Sequence, residues 1–217
     1  MSPFLVIFLI IAVSCPAEAI QYAVIDNATS TPGSTRFEKE IGRHYTLEAI
    51  QDATEFVLNI FKLSEFRDRK SFDKITVILS IFSSAAAITR NNTIFVNAEY
   101  INTFPGKVAV EFAGIIYHEA THVWQWKGNG EAPKGLTEGI ADYIPSPYWP
   151  LRGTGMRWDQ GYAVTAYFLE YCNGLRDGFV AELNAMMKNG YSDRFFEKLL
   201  GKNVDDLWDN YKSKYGN

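Results

Sequence analysis

The sequence predicts one α+β domain, with a small mixed or antiparallel sheet in its first half and a mostly helical second half. Short apolar runs rich in β-branched residues lie near the front of the chain, whereas apolar residues at helical spacing dominate from residue 158 onwards. No internal repeat, low-complexity tract or linker divides the sequence. A single domain of about 200 residues, large enough for a full hydrophobic core, is therefore expected.

The N-terminal segment, residues 1–19, is predicted to be a secretory signal peptide. Residues 4–13 are almost wholly apolar but too few to span a bilayer, and Ala17-Glu18-Ala19 supplies a small-x-small cleavage pattern. Cleavage after Ala19 leaves residues 20–217 as the folded domain. It removes one acidic and no basic residue, so the net charge changes from −4 to −3. This mild balance argues against a protein that binds nucleic acids or anionic membranes.

The elements of the first half follow from hydrophobic periodicity and from turn residues. Period-two and continuous apolar runs predict strands, and spacing near 3.6 predicts helices. The predicted elements are a strand at residues 22–26, a loop at 27–34, two helices within 36–62 separated at Gly42, a strand at 75–82, and a hairpin formed by Ile88 and residues 94–96 around an Asn91-Asn92 turn.

The second half is predicted to be helical except for one irregular loop rich in Pro and Gly. Ser192 as an N-cap and Gly201 beyond a helix end support two of the boundaries. The predicted elements are a central helix at 108–126 ended by Gly128-Asn129-Gly130, a short helix at 136–143, the loop at 144–157, and helices at 158–172, 178–188, 193–200 and 204–215.

Two of the three histidines lie four residues apart in the string His118-Glu119-Ala120-Thr121-His122, inside the predicted central helix. Four residues is just over one helical turn, so both imidazoles project from one face and can bind one metal ion. Glu119 is then placed to act as general base on a metal-bound water, as in other HExxH motifs. Histidines at this spacing can also simply pack or cap, but the glutamate between them favours a metal site.

A hydrolytic zinc site uses three protein ligands and a water molecule, so a third ligand is required. The segment at 135–143 carries Glu138 and Asp142, again at helical spacing. Glu138 is the predicted third ligand, and Asp142 is predicted to accept a hydrogen bond from the far nitrogen of a ligand histidine. Asp142 itself and Glu131 are the alternative ligands. Turn residues between 128 and 135 allow the second helix to fold back across the first.

This donor set predicts zinc as the cofactor and a zincin-like fold, in which the sheet packs on the HExxH helix. Zinc would lower the pKa of its bound water to about 7, and Glu119 would take the proton during attack on a carbonyl. Tyr162 is the candidate donor to the oxyanion, with a packed aromatic ring as the alternative role. An extended peptide is expected along an exposed sheet edge, predicted at residues 92–96. Trp124 and Trp126 are predicted to serve packing and the groove walls.

The remaining cysteine, the sequons and the third histidine fit a secreted protein. Cys172 is the one cysteine left after signal removal, and it is predicted to be buried without a disulfide. Asn27 and Asn91 begin Asn-x-Thr sequons and are predicted to be glycosylated surface positions. His44 lies in a charged helical stretch and is predicted to be an ordinary surface residue.

Several motifs along the mature chain, taken together, are similar to one known family. They lie at residues 118–126, 128–130, 135–143, 158–162, 178–184, 199–202 and 207–208. The chain resembles the plant basic secretory protein family. That resemblance implies an HExxH zinc peptidase fold, secretion to the cell wall space and a role in stress or pathogen response. Two features depart from the family pattern: the pI is ≈ 5.4, and the loop after Tyr143 is shorter.

The sequence therefore predicts a secreted zinc metallopeptidase that acts on peptides or proteins. No nucleic acid is expected as a partner, and no membrane once the signal peptide is cleaved. The alternative is a non-catalytic defence protein that binds a microbial or cell-wall target, with zinc serving only the structure. No fourth His or Cys ligand lies near the motif in sequence, which favours an open, hydrolytic site.

Overall fold

The computed structural model describes residues 20–63, 69–83, 85–143 and 151–216. The predicted signal peptide lies outside the described residues, as do residues 144–150 of the predicted irregular loop. The described part of the chain is mixed α+β, with a four-stranded sheet and mostly helical content. The predicted α+β class and its helical second half are confirmed.

The sheet is mixed. Its strands are β1 (Gln21–Asp26), β2 (Lys74–Ser80), β3 (Ala87–Arg90) and β4 (Thr93–Asn97), in the spatial order β1-β2-β4-β3. β1 and β4 both pair parallel with β2, and β3 pairs antiparallel with β4. One face of the sheet carries fully buried side chains, such as Ile75, Val77 and Leu79 of β2. This face is covered by helices.

The prediction that residues 92–96 form the exposed edge is wrong. Ile94 of β4 lies opposite Val77 of β2 on one side and opposite Thr89 of β3 on the other. Ile94 and Val96 are completely buried, as expected for an interior strand. The tight turn at Asn91, where φ is 55°, makes β3 and β4 neighbours, and β3 becomes the outer strand because β4 also pairs with β2. Among the described strands, the free edge on this side of the sheet belongs to β3.

The described residues contain nine α-helices and a short 3₁₀ turn. α2 and α4 pack against each other and against the sheet, and α5 packs on both α4 and α6. The helices are α1 (Pro32–Glu40), α2 (Gly42–Ile60), α3 (Ala98–Thr103), α4 (Val108–Trp124), α5 (Lys134–Ala141), α6 (Tyr162–Leu175), α7 (Phe179–Met186), α8 (Arg194–Leu200) and α9 (Val204–Tyr215), with the 3₁₀ turn at Gly128–Gly130.

The largest differences from the sequence-based prediction are at α1, α3 and α6, each for a local reason. α1 begins inside the predicted loop because the Thr31 hydroxyl accepts a hydrogen bond from Ser34 N at 3.1 Å. α3 was not predicted, and its cap is the Asn97 side chain. α6 begins at Tyr162, four residues later than predicted, because the Thr165 hydroxyl holds the preceding residues in a loop through bonds to Trp158 O and Gly161 N.

The core of the second half is aromatic. Phe168 of α6 contacts Trp158, Phe196, Trp208 and Tyr211 at ring-centroid distances of 5.4–6.3 Å. Cys172 lies in the same region, where it is free and fully buried, so that prediction is confirmed. His44 is exposed on α2 and pairs with Glu48. His44 therefore does not contribute to a metal site, and the two remaining histidines both lie on α4.

Candidate metal centre

His118 and His122 on α4 and Glu138 on α5 come together as a triangle of donor atoms. The two Nε2 atoms are 3.1 Å apart, and Glu138 Oε2 lies 3.3 Å from His118 Nε2 and 3.4 Å from His122 Nε2. A tetrahedral zinc ion with bonds of about 2.0–2.2 Å holds its ligands roughly 3.3–3.6 Å apart. Both the spacing and the His₂Glu composition fit a divalent metal such as zinc. Among the residues that the structure describes, no other trio of His, Cys, Asp or Glu is so placed.

Close packing of α5 on its neighbours sets the position of Glu138. Gly135 and Gly139 face the loop before α6 and α6 itself, and a side chain at either glycine would overlap Asp159 O or Thr165. At the other side of α5, the buried Gln125 amide donates to Thr137 O at 3.1 Å, directly after the end of α4. These contacts hold Glu138, the predicted third ligand, over the two histidines.

Asp142 fixes the orientation of His118. Its Oδ1 lies 2.6 Å from His118 Nδ1, so the neutral ring, which is the form that binds a metal, carries its proton at Nδ1 and directs the Nε2 lone pair at the centre. Burial favours a lower pKa for His118, but the hydrogen bonds to Asp142 and Glu138 and the charge of Glu119 outweigh it and raise the pKa to about 9. Asp142 thus contacts His118 at Nδ1, away from Nε2, and lies outside the donor triangle.

Glu138 is held as a carboxylate. Burial favours its neutral form, but the hydrogen bonds from His118 and His122 outweigh this and keep the pKa of Glu138 well below its usual range. An ionised carboxylate is the form that binds a cation. The other alternative ligand, Glu131, instead accepts a hydrogen bond from Tyr191 N at 3.2 Å and has no place in the triangle.

Glu119 directly follows His118, and its exposed fraction is only 6%. One carboxylate oxygen, Oε2, accepts a hydrogen bond of 2.6 Å from the Thr89 hydroxyl of β3. The other, Oε1, has no hydrogen-bond partner among the described residues. Glu119 also lines the cleft described next, so one oxygen is anchored while the residue borders the space where a reacting group would lie.

The centre opens onto a cleft of ≈ 1190 Å³. Its lining includes residues 85–89, Val110 and Gly114 of α4, and the lysines Lys127 and Lys134. The volume is sufficient for several residues of a peptide. Trp124 is 1% exposed and packs on Phe72, and neither Trp124 nor Trp126 lines the cleft. The packing role of Trp124 is confirmed, but the prediction that the two tryptophans form the groove walls is wrong.

Tyr162 stands beside the donor triangle at the start of α6. Its ring stacks on His118, with centroids 6.3 Å apart and planes 15° apart, and its side chain lines the cleft. Its φ of 47° is rarely adopted by a tyrosine, and such strain is frequent at functional sites. Burial and the charges of Glu138, Asp142 and Glu119 raise its pKa, so the hydroxyl stays a hydrogen-bond donor at neutral pH. Its role as oxyanion donor stays a prediction.

A family model described as a peptidase of plants and bacteria (BSP) matches residues 17–211. The chain belongs to this family. The resemblance to the plant basic secretory proteins is thereby confirmed. Over 70 residues the BSP chain is 43% identical to a protein of Boswellia serrata named basic secretory protease, a match that spans 32% of this chain and 84% of that protein. No solved structure matches the chain.

Two features of this BSP member were not anticipated from its sequence. Thr89 has no motif around it, and its contact with Glu119 depends on the long-range docking of β3 against α4. From the sequence, Gly135 is assigned only to turn chemistry and Gly139 has no predicted role, although both glycines serve the close packing of α5. No helix in the described ranges is long and apolar enough to cross a membrane.

Proposed function

We propose that this protein is a secreted, zinc-dependent metallopeptidase with a zincin-like fold. The observation that carries the proposal is the His118–His122–Glu138 donor triangle beside a buried glutamate in an open cleft. The family's description as a peptidase supports the reaction class. The name of the Boswellia serrata relative supports secretion, here to the cell wall space, and we infer a role in stress or pathogen defence from the same family.

The residues of the centre divide the work of peptide hydrolysis. When bound, zinc would supply a Lewis acid that activates water and polarises the scissile carbonyl. Glu119 accepts the proton of the attacking water and returns it to the leaving amine. Asp142 keeps the His118 proton at Nδ1. The Tyr162 hydroxyl donates a hydrogen bond to the oxyanion, since it stays protonated and lies beside the proposed ligands.

The free edge of β3 is suited to bind the substrate backbone. Asn97 N donates to Ala86 O at 2.9 Å, so even-numbered residues of this segment face β4 and odd-numbered ones face outward. The N–H and C=O groups of Ala87 and Thr89 therefore point to the cleft side. An extended peptide can add there as a further strand, next to Glu119.

The test compares zinc content and peptide cleavage for the wild type and for Glu119→Gln. We expect about one zinc per chain in both proteins, chelator-sensitive cleavage of a peptide library by the wild type, and loss of cleavage in the variant. Glu182→Gln on α7, whose carboxylate accepts hydrogen bonds from Arg176 outside the cleft, is the matched control and should keep its activity. Full activity of Glu119→Gln would refute the mechanism. Zinc binding without any cleavage would favour the non-catalytic alternative.

The Tyr162 role is tested by Tyr162→Phe, which keeps the ring that stacks on His118 and removes only the hydroxyl. Loss of one oxyanion donor costs about 10²- to 10³-fold in kcat. We expect a loss approaching that range with zinc affinity unchanged. An unchanged kcat would return Tyr162 to a packing role.

We also propose that Asn27 and Asn91 carry N-linked glycans. Both side chains are exposed, Asn27 directly after β1 and Asn91 at the tip of the β3–β4 hairpin. Exposed turns of this kind are accessible to glycosylation during secretion. Intact mass before and after enzymatic deglycosylation of the plant-expressed protein, with Asn27→Gln and Asn91→Gln as controls, would show whether either site is used.

A further inference from the structure

The side chain of Thr89 connects the free sheet edge to the proposed general base. Its hydroxyl lies 2.6 Å from Glu119 Oε2 and 3.1 Å from Glu119 O. A hydroxyl has one hydrogen to donate, and the shorter contact to the charged oxygen is the stronger of the two. Among the described residues, no other group donates a hydrogen bond to this carboxylate.

Two different parts of Thr89 face the two partners of the reaction. Its main-chain N–H and C=O point outward from β3, because the even-numbered neighbours hold the bonds to β4. Its side chain points to the buried face of the sheet, opposite Ile94, and reaches α4. A peptide added to β3 would therefore pair with the same residue whose hydroxyl holds Glu119.

We propose that Thr89 is the positioning residue for Glu119: it fixes Oε2, leaves Oε1 for the reacting water, and aligns the base with a peptide bound along β3. The proposal rests on the proposed function for its catalytic part. Without the hydroxyl, the buried carboxylate loses its one anchoring bond and can rotate about its side-chain torsions. Catalytic geometry is then populated for less of the time, whereas the metal ligands on α4 and α5 keep their places.

The first experiment measures kcat, KM and zinc affinity for Thr89→Val and Thr89→Ser. Valine keeps the β-branched shape and removes the hydroxyl, whereas serine keeps the hydroxyl. A hydrogen bond to a charged group corresponds to about a ten- to a hundredfold effect, so we expect kcat of Thr89→Val to fall by about tenfold or more. KM and zinc affinity should change by less than about twofold. Thr89→Ser should recover most of kcat because it retains the hydroxyl. A purely structural role of Thr89 would not predict this recovery.

Thr76→Val is the matched control, because Thr76 lies on β2 of the same sheet and outside the cleft. It should leave kcat unchanged. An active wild type whose Thr89→Val variant keeps its kcat would overturn the proposal. So would equal losses in Thr89→Val and Thr89→Ser, since these would point to packing of the methyl group.

A second experiment needs no activity, so it separates failure of this proposal from failure of the proposed function. A double-mutant cycle of Thr89→Val and Glu119→Ala is measured by urea unfolding; alanine is used because glutamine could still accept the hydroxyl hydrogen bond. We expect the two effects on the unfolding equilibrium constant to be non-additive by about fivefold or more. Additive effects would overturn the proposal even in an active enzyme. Coupling in an inactive protein would support the Thr89 contact and refute only the peptidase function.

Discussion

The two walls of the cleft hold the candidate centre in different ways. The α4 wall contributes His118, Glu119 and His122, whose relative positions follow from the periodicity of one helix. The α5 wall contributes Glu138 and Asp142, whose positions depend on how α5 docks against α4 and α6. One wall is thus set by local geometry and the other by long-range packing. Damage to the α5 wall should release the metal while leaving α4 intact.

The strongest test of this comparison is Glu138→Ala, which removes the proposed ligand of the α5 wall. Changing a mere hydrogen-bond partner of a ligand costs about 10- to 100-fold in metal affinity, so loss of the ligand itself should exceed about a hundredfold. Competition titration against a chromophoric chelator measures this. Glu131→Ala is the control, because the Glu131 carboxylate accepts a hydrogen bond from Tyr191 N and lies outside the donor triangle. This variant should bind zinc with the affinity of the wild type. Similar losses in both variants would disprove the assignment of Glu138.

Asp142→Asn should have a smaller effect on the same wall. Asparagine can still accept the hydrogen bond from His118 Nδ1, but it lacks the negative charge that supports the imidazole. We expect zinc affinity to fall by about tenfold, at the lower end of the range for such partners. Asp177→Asn, at a side chain that is 95% exposed, serves as control. Unchanged affinity would show that Asp142 does not act through His118.

Gly139→Ala tests the docking of α5 without touching a ligand. The added methyl group would overlap the Thr165 side chain, and overpacking of this kind costs about 1–3 kcal/mol in the free energy of unfolding. Urea unfolding should show this loss, together with weaker zinc binding as α5 shifts. Gly174→Ala on α6 has open space around the new methyl group and should be neutral or stabilising. If Gly139→Ala and Gly174→Ala changed stability and zinc affinity equally, close packing at Gly139 would not be what positions the α5 wall.

The smallest expected effect concerns the anchor of the α4 wall. Lys70 Nζ donates to Val123 O, at the end of α4, at 2.8 Å. Burial and the charge of Lys127 lower the Lys70 pKa from 10.5 to about 8. Between pH 8 and 10.5, Lys70 binds more protons in the unfolded chain than in the folded protein. The contribution of Lys70 to the free energy of unfolding therefore grows as pH rises and is lost as pH falls towards 8.

Lys70→Met lacks this titration. The difference in unfolding free energy between wild type and variant should therefore shift in favour of the wild type as pH increases from 8 to 10.5, measured by urea unfolding at fixed ionic strength. Lys62→Met, at an exposed lysine, is the control. A difference that does not vary with pH would mean that Lys70 titrates normally in the folded protein.

The same distinction explains what could be predicted from the sequence. His118, Glu119 and His122 form a local pattern, and Glu138 and Asp142 share a second one, so the donor set could be proposed before the structure. The edge strand could not, because strand order depends on which partners β4 finds across the chain. The start of α6 was wrong since a side-chain hydrogen bond of Thr165 overrides the apolar periodicity. Thr89 carries no sequence signal, because a single threonine in a strand is ordinary.

The brevity of β3 has a further consequence. A free sheet edge is a risk for any protein, because unpaired main-chain groups can recruit a strand from another molecule and start aggregation. β3 has four residues, and only Ala87 and Thr89 direct their main-chain groups outward. Such a short edge offers few bonds to a second copy, and the exposed Arg90 at its end adds charge repulsion. The short β3 edge that would bind a substrate peptide thus offers too few main-chain groups for stable pairing with a second copy of the protein.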